Sequence, residues 1–123
     1  MIVGVGIDLA EIVRFRVLLD KWGEKFTKRI FTQIEREYSD SKGLPEQHYA
    51  ARFAAKEACL KALGVPQGLS WHEMEILRKD KAPVMKLTGR AKEEFDKLGA
   101  NKTHVSLTHS QTTASAIVII EKV

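Results

Sequence analysis

The sequence predicts one domain of the α+β class. Its elements follow the order strand, helices, hairpin, helix, hairpin, and hairpins favour antiparallel pairing. One helix is apolar nearly all round, which is typical of a buried helix. The length of 123 residues suits a single domain. We therefore expect residues 1–123 to fold as one domain, with a mostly antiparallel sheet packed on a central buried helix and further helices at the periphery.

The first strand is predicted over residues 2–9. Apolar residues alternate on one face, and Gly4, Gly6 and Asp8 share the other. Glycine leaves that second face bare, which suggests that another element approaches it closely. Asp8 has two interpretations at this stage: the N-cap of the helix that follows, or a functional carboxylate.

Helices are expected to follow this strand. Residues 12–22 carry apolar side chains at helical spacing, and Gly23 is expected to end or bend that helix. Residues 32–35 have the spacing of a capping box, which predicts a short helix to about Tyr38.

The central helix is predicted over residues 45–63, with Gly64 at its C-terminal end. Large side chains occupy one side of it, and the opposite side is a row of alanines that another backbone can approach. Glu57 lies beside the large apolar residues Phe53 and Leu60. Since a carboxylate is rarely buried without a partner or a metal ion, this position indicates a functional site.

The second half of the chain contains two predicted hairpins separated by a helix. Thr88 is expected to cap that helix and Gly99 to end it. The expected strands are residues 71–78 and 84–87, then 105–109 and 114–120. The last of these is apolar on both faces at residues 117–120, which fits a strand covered on both sides.

Composition narrows the function classes. Residues 12–36 hold seven basic and three acidic side chains, an excess equal to the net charge of +4. A basic face attracts an acidic partner, although it can also be a solvated helix face. The aromatic residues fall mostly in apolar stripes, which argues against a nucleic-acid stacking platform.

No apolar run approaches the length of a membrane span, and Cys59 is the only cysteine. Met1 opens directly into the first strand, so we expect no signal peptide and a cytoplasmic protein.

Four residues suggest chemistry: Asp8, Glu57, Lys61 and His109. Two carboxylates can hold Mg²⁺, which takes its remaining ligands from water and phosphate, and a lysine can neutralise those phosphates. The alternative for Glu57 and Lys61 is a helical salt bridge at i and i+4. A lone histidine such as His109 is more often structural.

Two motifs make the chain resemble a known family. Gly6-Ile7-Asp8 followed by Arg14, together with residues 53–62 (FAAKEACLKA), resemble the motifs of the holo-acyl-carrier-protein synthases, which belong to the 4'-phosphopantetheinyl transferase superfamily. Residues 30–38 and 105–110 are similar to further stretches of that family. Gln33, where glutamate is expected, and Thr108, where serine is common, depart from its pattern.

The resemblance implies the fold of that superfamily and a reaction. Family members move 4'-phosphopantetheine from coenzyme A to a serine of apo acyl carrier protein, leaving adenosine 3',5'-bisphosphate. Asp8 and Glu57 match magnesium-binding residues, and Lys61 matches a lysine that contacts the phosphates of coenzyme A. The group that accepts the serine proton stays open among Glu57, Asp8, His109 and a metal-bound water.

The resemblance also implies partners. The family binds the acidic carrier protein through its first helix, where Arg14 matches the family and further residues qualify by charge: Arg16, Lys21, Lys25 and Lys28. It implies a homotrimer with active sites between subunits. In that assembly a neighbouring subunit brings four residues to the coenzyme A: Pro83, Thr108, His109 and Ser110. The expected setting is fatty acid biosynthesis, with no nucleic acid and no membrane as partner.

Overall fold

The computed structural model describes all 123 residues and confirms the α+β class. Ten helices and strands follow one another along the chain. In order they are β1 (Ile2–Glu11), α1 (Ile12–Trp22), α2 (Glu24–Ile30), α3 (Gln33–Asp40), α4 (Pro45–Ala62), β2 (Met74–Lys79), β3 (Ala82–Leu87), α5 (Gly89–Lys97), β4 (Lys102–His109) and β5 (Thr113–Glu121).

The strands form two antiparallel sheets. β5 lies between β1 and β4 in the larger sheet, and β2 pairs with β3 in the smaller one. Helix α4 lies across the inner face of the larger sheet, where Gly4 and Gly6 meet the backbone of Ala62 and Ala58. The predicted close approach at the glycines is therefore confirmed, and the partner is the alanine row of α4.

Most boundaries agree with the sequence within about two residues, and the chain beyond Gly23 forms the separate helix α2. The strand predicted from residue 71 is wrong in its first three residues, which form a 3₁₀ turn. Ser70 and Glu73 cap this turn reciprocally, and that local bonding delays the strand to Met74. In the β2–β3 hairpin, Asp80 and Lys81 both have positive φ, as tight two-residue turns require.

The outer face of the larger sheet is uncovered in the single chain. Val5, Ile7 and Leu9 are 54%, 62% and 60% exposed there. On β5, Ile119 pairs with Val5 and Ile117 pairs with Ile7, and both isoleucines are half-buried. The expectation that residues 117–120 are covered on both sides is therefore met only on the inner face, where Val118 and Ile120 are buried. No helix of the chain is long and apolar enough to cross a membrane.

Candidate active site

Asp8 lies on the inner face of β1, the face that contacts α4. It does not cap α1: Glu11 holds the N-cap position, and no side chain caps that helix. Gly6, two residues before Asp8 on the same face, brings β1 against Ala58, the neighbour of Glu57. The bare glycine face is thus what brings the Asp8 and Glu57 carboxylates together across the sheet–helix boundary.

The surroundings of Glu57 show that the two carboxylates meet. Burial is the largest cause of its raised pKa, followed by a hydrogen bond with Asp8 and the negative charge of Asp8. Lys61 and Arg14 act in the opposite direction. Two facing carboxylates with nearby cations form a compact anionic site.

Lys61 pairs with Asp8 and not with Glu57. Its Nζ donates to Asp8 Oδ1 at 3.1 Å and to the backbone oxygen of Ile7 at 3.0 Å. The alternative of a helical Glu57–Lys61 bridge is therefore wrong. This ammonium group lies across the strand–helix boundary with about half its side chain exposed, so it is accessible to a ligand.

These carboxylates suit a hard divalent cation. No group of three or more His, Cys, Asp or Glu side chains that could hold a metal ion is present. The nearby Asp8 carboxylate helps to raise the pKa of Glu57, so the two carboxyl groups lie close together. Mg²⁺ commonly takes one or two carboxylates from the protein and completes its shell with water and phosphate. The donor set therefore fits magnesium with a phosphate-bearing substrate.

The sequence indicated one buried charged residue in α4, but the structure buries two others more deeply. Glu57 is only partly buried, whereas Lys56 and Arg52 are buried. Lys56 has an ion-pair partner in Glu35. Arg52 has no salt bridge, and its Nε has no hydrogen-bond partner.

Arg52 belongs to a cationic cluster around the ring of Tyr38. The Arg52, Lys42 and Arg78 cations lie 4.1, 4.6 and 5.4 Å from that ring, and His48 packs edge-on against it. Burial, then the charges of Arg52, Lys42, His109 and Arg78, lower the pKa of His48. We refer to Lys42, His48, Arg52, Arg78 and His109 as the cationic cluster.

The structure separates His109 from the carboxylates of its own chain. His109 ends β4 and lies near His48, and His48 precedes Glu57 by nine residues on α4. At 1.5 Å per residue, these two helix positions are about 13 Å apart along the axis. Pro83 pairs with Arg78 of the cationic cluster. Thr108 and Ser110 flank His109 on the exposed end of β4.

The basic helices carry an apolar stripe as well as charge. Val13 and Val17 are exposed on α1, on the same helix as Arg14 and Lys21. Arg16 is paired with Glu46 at 3.1 Å, and Lys28 with Glu24 at 3.2 Å. Arg14 and Lys21 are free of salt bridges, so they offer the more available charges.

A groove continues this surface beyond α1. Its volume is about 630 Å³, and its lining is mostly apolar with two basic residues: Trp22, Lys25, Phe26, Arg29, Ile30 and Trp71. Sequence reasoning found Lys25 by charge and missed the aromatic residues. The signal was present in Trp22 and Phe26, which are large apolar residues next to the basic ones.

Sequence reasoning also missed Arg52, because a lone arginine inside a buried helix resembles one member of a structural ion pair.

The family model, the sequence relatives and the solved structures that match this chain all indicate the same family. Residues 4–116 match the model of the 4'-phosphopantetheinyl transferase superfamily. The chain is 44% identical over 99% of its length to the holo-[acyl-carrier-protein] synthase of Maridesulfovibrio salexigens, and it covers 100% of that protein. It superposes on the Helicobacter pylori holo-[acyl-carrier-protein] synthase in complex with coenzyme A with a TM-score of 0.82, at 31% identity, over 95% of this chain and 99% of that one. For the Bacillus anthracis synthase in complex with CoA (3',5'-ADP), the TM-score is 0.79 at 33% identity, over 100% and 99% of the two chains.

Proposed function

The chain belongs to the 4'-phosphopantetheinyl transferase superfamily, and we propose that it acts as a holo-acyl-carrier-protein synthase. It transfers 4'-phosphopantetheine from coenzyme A to a serine of apo acyl carrier protein. The observation that carries this proposal is the meeting of Asp8 and Glu57 with Lys61 beside them. We further propose that residues 1–123 act as one transferase domain.

In this reaction the serine oxygen bonds to the phosphorus that bears pantetheine. The diphosphate bond to that phosphorus breaks, adenosine 3',5'-bisphosphate leaves, and the serine proton is released. Positioning and charge stabilisation account for most of the catalysis in phosphoryl transfer. Lys61 would bind phosphate oxygens with the ammonium group that now contacts Asp8. The serine proton would pass to the Asp8–Glu57 pair, to water beside it, or to His109 of a neighbouring subunit.

Magnesium dependence is part of the proposal. Asp8 and Glu57 would hold the ion, which supplies a positive charge that binds the diphosphate and stabilises the leaving phosphate. The support is the pair of like-charged carboxylates in contact, since neutralising two facing negative charges favours cation binding. Removing one carboxylate should therefore lower both metal affinity and turnover.

The cationic cluster and the carboxylates form two separate halves of a site. Coenzyme A carries several phosphates, and one anchoring position cannot neutralise them all. His109 and Pro83 lie away from Glu57 within one chain, so this part of the surface would reach the nucleotide of a neighbouring subunit. We propose that Pro83, Thr108, His109 and Ser110 act in this way. This arrangement explains why an anionic and a cationic half-site lie apart in one chain.

The outer face of the larger sheet supports assembly into a homotrimer. Val5, Ile7 and Leu9 are exposed there next to the half-buried Ile117 and Ile119. A contiguous apolar patch on a sheet commonly marks a protein interface. β1 also carries Asp8 on its opposite face, so covering the outer face would stabilise the strand that positions the carboxylate.

The surface of α1 and the groove beside it would bind the acidic carrier protein. Arg14 and Lys21 supply charge, and Arg16, Lys25 and Lys28 add to it. Val13 and Val17 supply apolar contact area on the same helix. The charge of Arg14 lowers the pKa of Glu57, which indicates that this end of the surface lies near the site. A carrier docked there would present its serine close to the carboxylates. The expected setting remains the cytoplasm and fatty acid biosynthesis.

A mass measurement tests the function directly. The chain is incubated with coenzyme A, Mg²⁺ and an apo acyl carrier protein, and the carrier is weighed. We expect the gain of one phosphopantetheine group, and loss of that gain with EDTA. No gain with any apo carrier tried would contradict the proposal, and a gain that persists in EDTA would contradict its metal requirement.

Two substitutions test the carboxylates. Asp8→Asn and Glu57→Gln keep the shape of each side chain and remove its charge. Each is expected to lower turnover by about 100-fold or more while the fold persists. Asp96→Asn, an exposed carboxylate on α5, is the matched control and should behave as wild type. Wild-type rates in both site variants would remove the proposed metal site.

A further inference from the structure

Lys56 and Glu35 form an ion pair in the centre of the molecule. Their side chains are 0% exposed, and Lys56 Nζ lies 2.9 Å from Glu35 Oε1. Neither residue bonds to Asp8, Glu57 or Lys61, and the charge of Glu35 acts on Arg52 of the cationic cluster without a salt bridge between them. The proposed reaction therefore leaves this buried pair without a role.

The pair connects three parts of the fold with every hydrogen atom of the ammonium group engaged. Lys56 Nζ also donates to the backbone oxygens of Trp71 at 2.9 Å and Met74 at 2.7 Å. Glu35 accepts from the backbone N–H groups of Thr32 and Ile76, each at 2.9 Å. Helix α4 is thereby tied to the start of α3 and to the start of β2.

These bonds fix the rotation of α4 about its axis. Consecutive residues on a helix point about 100° apart, so holding Lys56 on one side sets the direction of Glu57. The face of α4 that meets the sheet consists of alanine packed against glycine. Such a smooth contact allows close approach, but it supplies little resistance to rotation or sliding. The directional bonds of Lys56 add to those of Lys61 with β1 in supplying that resistance.

Stability alone is a weak reason for such a pair. A buried ion pair can often be replaced by neutral residues of similar volume without loss of stability, because desolvation offsets the attraction between the charges. Burial indeed lowers the pKa of Lys56, and Glu35 acts against that shift. What a neutral pair would lack is the set of strong directional hydrogen bonds.

We propose that Lys56 and Glu35 are positioning residues that orient Glu57 toward Asp8. This inference rests on the proposed function, because it assigns Glu57 to the reactive site. It predicts that disturbing the pair affects the chemical step and cation binding more than docking of the carrier protein. The docking surface on α1 and α2 makes no bond to Lys56, and of the groove residues Trp71 alone does so, through its backbone oxygen.

The test is the neutral double variant Lys56→Met/Glu35→Gln. Glutamine retains an acceptor for the N–H groups of Thr32 or Ile76, and methionine fills the volume of the lysine stem. The variant is compared with wild type by urea denaturation, by kcat and KM for the carrier, and by calorimetric titration of the free protein with Mn²⁺. We expect a similar carrier KM and a lowered unfolding midpoint, because the backbone oxygens of Trp71 and Met74 lose their donor. The kcat and the Mn²⁺ affinity should both fall by about 10- to 100-fold, as for other residues that orient a ligating side chain.

Control variants separate positioning from stability. Phe95→Leu in α5 removes core volume without altering either charged side chain, and its loss of stability should leave the kcat and the Mn²⁺ affinity unchanged. If the double variant does not fold, Glu35→Gln alone is judged by the same measurements. Wild-type kcat and Mn²⁺ affinity in the folded variant would overturn the inference. An inactive wild-type chain would instead contradict the proposed function, while the Mn²⁺ titration would still report on positioning.

Discussion

Gly6→Ala should separate β1 from α4 and thereby break the site. A Cβ on residue 6 would lie 1.7 Å from the backbone oxygen of Ala58, 2.7 Å from its carbonyl carbon and 2.9 Å from the backbone nitrogen of Ala62. These are backbone atoms of a regular helix, so no side-chain rotation can relieve the contact. The strand and the helix must move apart by about 1.5 Å, since a densely packed interior offers no free volume.

The movement has two measurable consequences. Overpacking lowers the free energy of unfolding by up to about 3 kcal/mol. We expect a loss at or above that value here, because the contacted backbone atoms cannot move aside. For a domain of this size we expect the melting temperature to fall by about 10 °C. Because Asp8 is on β1 and Glu57 on α4, the same separation misplaces one carboxylate relative to the other. Misplacement of about 1 Å can cost about 100-fold in rate, and we expect a loss of at least that size in kcat.

The assay combines thermal unfolding with the carrier mass measurement, at a temperature where the variant is folded. Gly43→Ala is the matched control, because a Cβ at residue 43 would meet nothing within 4 Å. It should leave melting and turnover near wild type. A Gly6→Ala variant that melts within a few degrees of wild type and retains its kcat would refute the assignment of Gly6 as the contact that positions the site.

Three further predictions concern other surfaces. Arg14→Glu should raise the KM for the carrier by about tenfold with little change in the KM for coenzyme A, because charge reversal on a docking face repels an acidic partner. Lys92→Glu on α5 is the control. Equal losses for both substrates would argue against the proposed docking surface. Ile7→Glu should dissociate the proposed homotrimer in sedimentation, whereas Ile34→Glu, exposed on α3, should not. An unchanged mass for Ile7→Glu would contradict the proposed sheet interface. His48 has a lowered pKa in the folded chain, first because of burial. The unfolded chain therefore binds more protons, and stability should fall as the pH drops from about 7 to 5. His48→Gln should flatten this slope in urea denaturation, and an identical slope would exclude His48 as its source.

Local patterns predicted most of the fold. The capping box of Thr32 and Glu35 and the end of α4 at Gly64 depend on residues a few positions apart, so they were predictable. The strand predicted from Trp71 was wrong only in its first three residues, because the 3₁₀ cap between Ser70 and Glu73 outweighs strand propensity there. Glu35 shows the limit of prediction from local patterns. Its capping role was predictable, but its second role as the partner of Lys56 joins residues 21 positions apart.

The sequence by itself determined which residues we propose for the chemistry. Asp8, Glu57 and Lys61 were identified from their types and their motifs, and the glycine face of β1 already indicated a close contact. Only the tertiary structure decided that Asp8 meets Glu57, that Lys61 pairs with Asp8, and that His109 lies apart from both. The physical reason is that periodicity shows which face of an element is apolar or bare. It does not show which distant element covers that face, because this depends on how the whole chain packs.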